Sequence, residues 1–362
     1  MTKRIFNFSA GPATLPIEIL ERAQKDFLNY ANEGMSVMEM SHRSKPFEEI
    51  LHRAKSGVKE LLNVPDTHDI LFLQGGASLQ FSMVPLNLKK EGKDALIINT
   101  GSWTKKAIKE IKKASSCKII ASSEDKNFSY IPTIPSLASE DASFAYLCSN
   151  NTIFGTQFKA FPDTGSIPLV ADMSSDILSR PLDVSKFGLI FAGAQKNIGP
   201  SGVTLVIIRK DLAENPDPSL PSMLQYQSFI ESNSLYNTIP TFGVYMIALM
   251  AEWLKEQGGL GKVQEKNEYK ASLLYKEIEE NSYYYCPVSE TDRSLMNVVF
   301  RIHDSEDVEK RFVQEATEAG LSGLKGHRSV GGLRASIYNA HPVEGIEALV
   351  RFMKEFQHKY QK

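Results

Sequence analysis

The sequence predicts an α/β fold: a mostly parallel sheet covered by helices on both faces, followed by a smaller α+β unit. Three observations predict it. Short apolar runs, each bounded by turn residues, alternate with segments of helical period over roughly the first 256 residues. Those runs are apolar at successive positions, as strands buried on both faces are. The composition then shifts near residue 257, where "EQGGLGK" breaks the pattern and a long charged helix begins.

Residues 17–32 carry Ile17, Leu20, Ala23, Phe27 and Leu28 at helical spacing, and 46–62 repeat the pattern. "DILFLQGG" reads as a strand ending at glycines. "LQFSMVPLN" reads as a helix up to its proline, because proline removes a helical N–H. "DALIINTG" is a short strand, and "SWTKKAIKEIKKAS" an amphipathic helix with Ser102 as its N-cap. "SFAYLCSN", "IPLVADMSS", "FGLIFAGAQ" and "GVTLVIIRK" are further buried strands. After 257 come a helix over about 261–280, the strand "SLMNVVFRI", the helix "SEDVEKRFVQEATEAG" and the strand "LRASIYN". A last helix carries Val343, Ile346, Leu349, Val350, Met353 and Phe356 on one face. The expected division is a large domain at 17–256 and a small one at 257–362, with the segment 1–16 packing on the small one.

Composition narrows the function. A net charge of −2 over 362 residues leaves no basic field for nucleic acid. The longest apolar stretch, "FGVYMIALMA" at 242–251, is far short of the roughly 20 residues that span a bilayer. No apolar run follows Lys3 and Arg4, as a secretory signal would require. Three scattered cysteines, Cys117, Cys148 and Cys286, suggest a reducing compartment and no disulfide framework. The expected location is the cytoplasm.

In open α/β sheets, ligands collect beyond the carboxyl ends of strands. Gln74, Gly75, Gly76, Ala77 and Ser78 follow one strand, and Trp103, Thr152, Asp172, Gln195 and Lys196 follow others. Each has a plain structural reading. "GGAS" makes a turn, Trp103 packs in a core, Asp172 orders a loop, and Lys196 extends its ammonium to water. Together they have a sharper one. A partly desolvated lysine has a lowered pKa and condenses with an aldehyde. A carboxylate pairs with a protonated pyridine nitrogen. A glycine-rich helix start holds a phosphate, and an indole stacks on a flat ring. These are the parts that pyridoxal 5′-phosphate (PLP) needs.

The sequence resembles the phosphoserine aminotransferase family, class-V PLP enzymes of fold type I, over essentially its whole length. The resemblance is carried by "FNFSAGPATLP" at 6–16, "SVMEMSHRS" at 36–44, "LNVP" at 62–65 and "ADMSSDILSRPLDV" at 171–184. "AGAQKNIGPSG" at 192–202, "NTIPTF" at 237–242 and "GLKGHRSVGGLRASIYNA" at 323–340 carry it further. It implies a seven-stranded, mostly parallel sheet and a homodimer with shared active sites. It implies that Lys196 joins the cofactor aldehyde and that Asp172 meets the ring nitrogen. Trp103 would stack on the ring, and Thr152 would bond its hydroxyl. Main-chain N–H groups near Ala77 and Ser78, with Gln195, would hold the phosphate, and Asn237 and Thr238 would reach it from the neighbouring subunit. Some family members have arginine where this chain has Ser78.

The resemblance also implies the substrates. Arg334 would bind the α-carboxylate, and His42, Arg43, His327 and Arg328 would bind the phosphate. Arg43 would meet the side-chain carboxylate of glutamate instead. The reaction would exchange an amino group between glutamate and 3-phosphohydroxypyruvate, giving 2-oxoglutarate and O-phospho-L-serine in serine biosynthesis. 4-Phosphohydroxythreonine, in pyridoxine biosynthesis, is a second candidate substrate. No metal is expected. Two rival readings share the fold: a cysteine desulfurase-like lyase, which needs a reactive cysteine, and a non-catalytic phosphate-binding protein.

Overall fold

The computed structural model describes residues 4–137 and 140–361. Residues 1–3 of the expected amino-terminal segment, 138–139 of the expected large domain and 362 of the expected small domain lie outside the described residues. The strands are β1 (Phe6–Asn7), β2 (His68–Leu73), β3 (Ala95–Asn99), β4 (Cys117–Ser122), β5 (Phe144–Cys148) and β6 (Leu169–Asp172). They continue with β7 (Leu189–Gly193), β8 (Thr204–Arg209), β9 (Tyr284–Tyr285), β10 (Asn297–Ile302), β11 (Leu321–Ser322) and β12 (Leu333–Ser336). The helices are α1 (Ile17–Lys25), α2 (Lys45–Leu62), α3 (Gly76–Leu88), α4 (Ser102–Ala114) and α5 (Tyr226–Glu231). Then come α6 (Thr241–Glu256), α7 (Gly259–Glu280), α8 (Glu306–Glu318) and α9 (Val343–Tyr360).

Seven strands form one sheet in the order β2-β8-β7-β6-β5-β3-β4. It is parallel from β7 to β4, and β8 pairs antiparallel with both β7 and β2. Alternate residues of each strand enter two separate cores, which is why the strands are apolar throughout. Ile70, Phe72, Ile98, Leu147, Ala171 and Ile190 meet α1, α2 and α6 on one face. Their neighbours Leu71, Ile97, Tyr146, Val170, Phe191 and Val206 meet α3, α4 and α5 on the other. Each such large apolar side chain contributes about 1.5–3 kcal/mol by leaving water.

A third core lies under the antiparallel sheet β12-β10-β9, with α7, α8 and α9 packed on it. Helix α6 ends at Glu256 and α7 begins at Gly259, with Gly258 and Gly259 both at positive φ (+91° and +78°). The amino-terminal segment joins this third core. β1 runs parallel to β11, with Phe6 opposite Leu321, and Phe8 is fully buried there. The segment then crosses the large sheet's edge. Ala13 N–H donates to the Gln195 carbonyl (2.9 Å), and a Cβ on Gly11 would come within 3.2 Å of Lys196 Cγ.

Four local expectations change. The helix from Ile17 stops at Lys25, and Phe27 and Leu28 lie exposed beyond it. There Asn29 Oδ1 accepts from the Gly34 N–H (2.7 Å), a local bond that competes with helix. Helix α3 runs through Pro85 to Leu88. Pro85 is itself buried, and Asn87 Nδ2 ties the last turn to the carbonyls of Met83 and Leu224 (2.8 and 2.7 Å). Ser102 is not the cap of α4: Gly101 holds that position, and Ser102 makes no capping bond. A Cβ on Gly101 would lie 2.6 Å from Asn151 Oδ1, so close approach of the two segments excludes a larger residue. Strand β4, a half-exposed edge strand, was not anticipated.

Candidate active site

The sheet order decides which residues meet. β7, β6, β5 and β3 are consecutive neighbours, and their carboxyl ends deliver Lys196, Asp172, Thr152 and Trp103 to one edge. Lys196 Nζ donates to Thr152 Oγ1 (2.6 Å) and lies 5.3 Å from the centre of the Trp103 ring. Arg334, on β12, donates from Nη1 to the Thr152 carbonyl (2.9 Å). Thr152 thus sits between the lysine and the arginine.

Asp172 is buried at the end of β6. The Ser174 N–H and hydroxyl both donate to its Oδ1 (2.9 and 2.6 Å), so Oδ2 is not used by Ser174. Burial pushes the Asp172 carboxyl above its usual range, while Lys196 and the Ser174 bonds pull it back. Burial likewise pulls the Lys196 ammonium below the usual lysine value, against the carboxylate of Asp172. A lysine held this way releases its proton more readily than one at the surface.

The helix α3 starts at Gly76, with Gly75 and Gly76 at φ +83° and +62°. The first N–H groups of a helix have no partner within it, and a Cβ on Gly76 would meet nothing within 4 Å. Ala77 and Ser78 belong to this turn, and Ser78 is exposed. Gln74 Nε2 donates to the Thr238 carbonyl (2.9 Å), and Asn237 Nδ2 to Gln74 Oε1 (3.4 Å). The half-buried Gln195 has its side-chain amide beside Gly193, where a Cβ would approach to 2.9 Å.

The basic residues are spread over two segments. His42 and Arg43 precede α2; His42 Nε2 is buried without a hydrogen-bond partner, and Arg43 is exposed. His327 and the exposed Arg328 lie between β11 and β12, with His327 Nδ1 bonded to Ser329 Oγ (2.7 Å). Burial lowers the His327 pKa, and so do the cations Arg334, Arg328 and Lys106. Lys106 Nζ stands 4.4 Å from the centre of the Trp103 ring. Sequence reasoning missed Lys106, because nothing distinguishes it among the lysines of α4.

It also missed the buried polar bed below Asp172. Ser149 Oγ donates to Asp176, Gln157 Nε2 donates to the same carboxylate (3.2 Å), and Asn150 Nδ2 reaches Ser175 Oγ (2.8 Å). The available signal was the polar run "DMSSD" directly after a strand with no exposed position.

The family model for aminotransferase class-V matches residues 5–349. The phosphoserine aminotransferase of Geobacillus kaustophilus (strain HTA426) is 56% identical over 360 residues, 99% of this chain and 99% of its own length. The chain belongs to the phosphoserine aminotransferase family. A solved phosphoserine aminotransferase from Bacillus circulans subsp. alkalophilus superposes with a TM-score of 0.94 at 52% identity, covering 98% of this chain and 99% of that one. A PLP-bound phosphoserine aminotransferase from Trichomonas vaginalis gives 0.91 at 42% identity, covering 97% and 100%. The fold is that of the fold-type I PLP enzymes.

The residues present fit the family's cofactor. The open turn at Gly76 suits a phosphate, and the Trp103 face lies over the Lys196 amine. Trp103 Nε1 and Arg334 Nε, on two residues that adjoin the Lys196–Thr152 pair, are buried without a partner. Unpartnered buried polar atoms are costly in a finished site, and a polar ligand would satisfy them. The cysteines offer no rival chemistry. Burial raises all three thiols above their ordinary pKa, Cys148 most, so none is primed as a nucleophile. Among the described residues, no group of three or more His, Cys, Asp or Glu could hold a metal, and no helix is long and apolar enough to cross a membrane.

Proposed function

We propose that the protein transfers the amino group of glutamate to 3-phosphohydroxypyruvate, giving O-phospho-L-serine and 2-oxoglutarate, with PLP as cofactor. The observation that carries this reading is the link Lys196–Thr152–Arg334: a proton-accepting amine and a carboxylate-binding guanidinium on one threonine. When bound, PLP supplies an aldehyde that takes up the amino group and a ring that accepts the electron pair left as the α C–H bond breaks. Lys196 Nζ takes the α-proton, its basicity set by burial and by Asp172. Asp172 holds a proton on the ring nitrogen, Trp103 covers the ring face, and Thr152 bonds the ring hydroxyl. The N–H groups at Ala77 and Ser78, with Gln195, hold the cofactor phosphate. Arg334 fixes the substrate α-carboxylate through a planar fork.

His327, Arg328, His42 and Arg43 read the phosphate of the acceptor. Charge-assisted bonds to a dianion contribute about 1.5–3 kcal/mol each, or roughly one to two powers of ten in affinity. Arg328→Ala is therefore expected to raise KM for phosphoserine about ten- to a hundredfold and leave the glutamate half-reaction nearly intact. Arg43→Ala is expected to damage both half-reactions, because the glutamate side chain uses Arg43 too. Stopped-flow absorbance of each half-reaction checks this. Equal slowing of glutamate and phosphoserine in Arg328→Ala would refute the division of labour. If serine reacted as well as phosphoserine, the substrate assignment would fail. The same phosphate site would admit 4-phosphohydroxythreonine in pyridoxine biosynthesis, and the same assay tests it.

The working protein is proposed to be a cytoplasmic homodimer, its domains dividing at 257, with Asn237 and Thr238 of one subunit reaching the cofactor phosphate of the other. Within one chain the 237–238 segment bonds to its own Gln74, so mixed dimers decide which subunit's phosphate it serves. Four exposed apolar side chains, Phe27, Leu28, Met35 and Met38, lie on the segment leading to His42 and Arg43, as a surface that a second subunit covers would carry. Mixing an inactive Lys196→Ala chain with an inactive Asn237→Ala/Thr238→Ala chain is expected to restore activity in hybrid dimers, since one of the two sites then carries neither defect. Hybrids that form without recovering activity would show each chain to be self-sufficient.

A further inference from the structure

Lys196 follows β7 of the large sheet, and Arg334 lies on β12 of the small one. A substrate gripped by Arg334 must still present its α-carbon to the Lys196 amine. Two of the links between the two sheets run directly beside these residues. The first is direct, through Thr152: Arg334 Nη1 to its carbonyl (2.9 Å) and Lys196 Nζ to its hydroxyl (2.6 Å). Both donors in that link are groups the reaction uses, so the link is interrupted when substrate engages them.

The second link uses none of the reacting groups. Beyond β12, the Asn339 N–H donates to Oδ1 of Asn197, the residue after Lys196 (3.0 Å). Asn197 Nδ2 donates to the Ile177 carbonyl (2.6 Å), and Asn339 Nδ2 to the Leu178 carbonyl (2.7 Å). Helix α7 secures the segment from the other side. Asn267 Nδ2 donates to Asn339 Oδ1 (2.8 Å), and Lys270 Nζ donates to the carbonyls of Ile337 (3.0 Å), Tyr338 (2.6 Å) and His341 (3.3 Å). Asn197, Asn267, Lys270 and Asn339 are each at most 3% exposed. Slippage by one residue would strand several of these buried groups, and each stranding is costly, so the arrangement admits one register.

We infer that Asn197 and Asn339 are positioning residues for the transamination: their contact holds the Lys196 segment and the Arg334 strand at a fixed separation throughout turnover. Asn267 and Lys270 pin the 337–341 segment that makes the contact. The inference rests on the proposal that Arg334 binds the substrate α-carboxylate. If Asn197 acts through the placement of Arg334, removing it matters only while Arg334 is present.

The test is a double-mutant cycle on the PLP-loaded enzyme, reading kcat/KM of the glutamate half-reaction by single-turnover absorbance. Asn197→Ala is expected to lower it about ten- to a hundredfold, the size of effect that misplacement by about 1 Å produces. In an Arg334→Ala background the same replacement is expected to change it less than about twofold. The same fold-loss in both backgrounds, or no loss in the first, overturns the inference. A normal glutamate half-reaction in Arg334→Ala alone overturns instead the role proposed for that arginine. Should Asn197→Ala fail to fold or to load PLP, the cycle is run with Asn339→Ala, which loses the bonds to Leu178 and Asn267 but keeps the backbone donor. The same non-additivity is expected there, with a single-variant loss of about three- to thirtyfold, and additive losses overturn the inference equally.

Discussion

Replacing Lys196 with alanine is expected to abolish transamination while leaving PLP able to bind non-covalently. The amine bonds to Thr152 and lies over the Trp103 ring, and among the described residues no second lysine stands in the same place: Lys106 is nearer that ring but makes no bond to Thr152. Losing a positioned general base costs about 10²–10⁴ in rate, and loss of the covalent tie to the cofactor adds to it. Borohydride treatment of the intact loaded enzyme, followed by peptide mapping, is expected to put the pyridoxyl label on Lys196. A label on another lysine, or measurable turnover in the variant, would remove the centre of the proposed chemistry. The fold should survive the change, because the loop is also held by Asn197 and by the Gln195 carbonyl.

Asp172→Asn is expected to slow both half-reactions by about a hundred- to a thousandfold, the usual result of removing one preorganised charge partner. Substrate KM should change far less. Asparagine keeps the acceptor for Ser174, so the turn at the end of β6 stays closed. What is lost is the negative charge that keeps a proton on the ring nitrogen. That charge also supports the free Lys196 ammonium, so in the cofactor-free variant Lys196 should titrate at lower pH. The check is the two single-turnover rates, alongside the pH dependence of Lys196 reactivity in the cofactor-free protein. Near-normal turnover in Asp172→Asn would refute the role.

Much of the fold was legible because buried parallel strands must be apolar on both faces. β3, β5, β6, β7 and β8 announce themselves that way, and α2 and α9 do so by their period. The misread places are those where tertiary contacts outweigh local preference. Pro85 stays inside α3 because its surroundings bury it and Asn87 supports the turn. Gly101 displaces Ser102 from the cap because Asn151 comes too close for any side chain. β4 sits at the sheet edge with one side wet, so its pattern looks like a loop. In the site, strand ends pointed to Lys196, Asp172, Trp103 and Thr152, but the role of Thr152 and the part of Asn237 and Thr238 were suggested only by the family resemblance. Asp176 was marked only by the polar run that closes β6, and Lys106, Asn197 and Asn339 left no local mark. Each is a common polar residue whose meaning depends on a partner far away in the chain.

The pairing of β1 with β11, and the passage of the segment after β1 across Lys196, bear on how the molecule is made. Phe6 leaves the ribosome more than three hundred positions ahead of Leu321, its partner in the ladder. Closing so long a loop costs entropy that local elements such as α2 never face, and contacts this distant in sequence form late. The large sheet needs nothing beyond β8 to pair its strands, so it can assemble while the rest is still being synthesised. The strip bearing Gly11 and Ala13 must wait. Until the last third of the chain docks, the lysine lies without its cover, and a chain cut short before β11 would keep a folded sheet with an unfinished pocket.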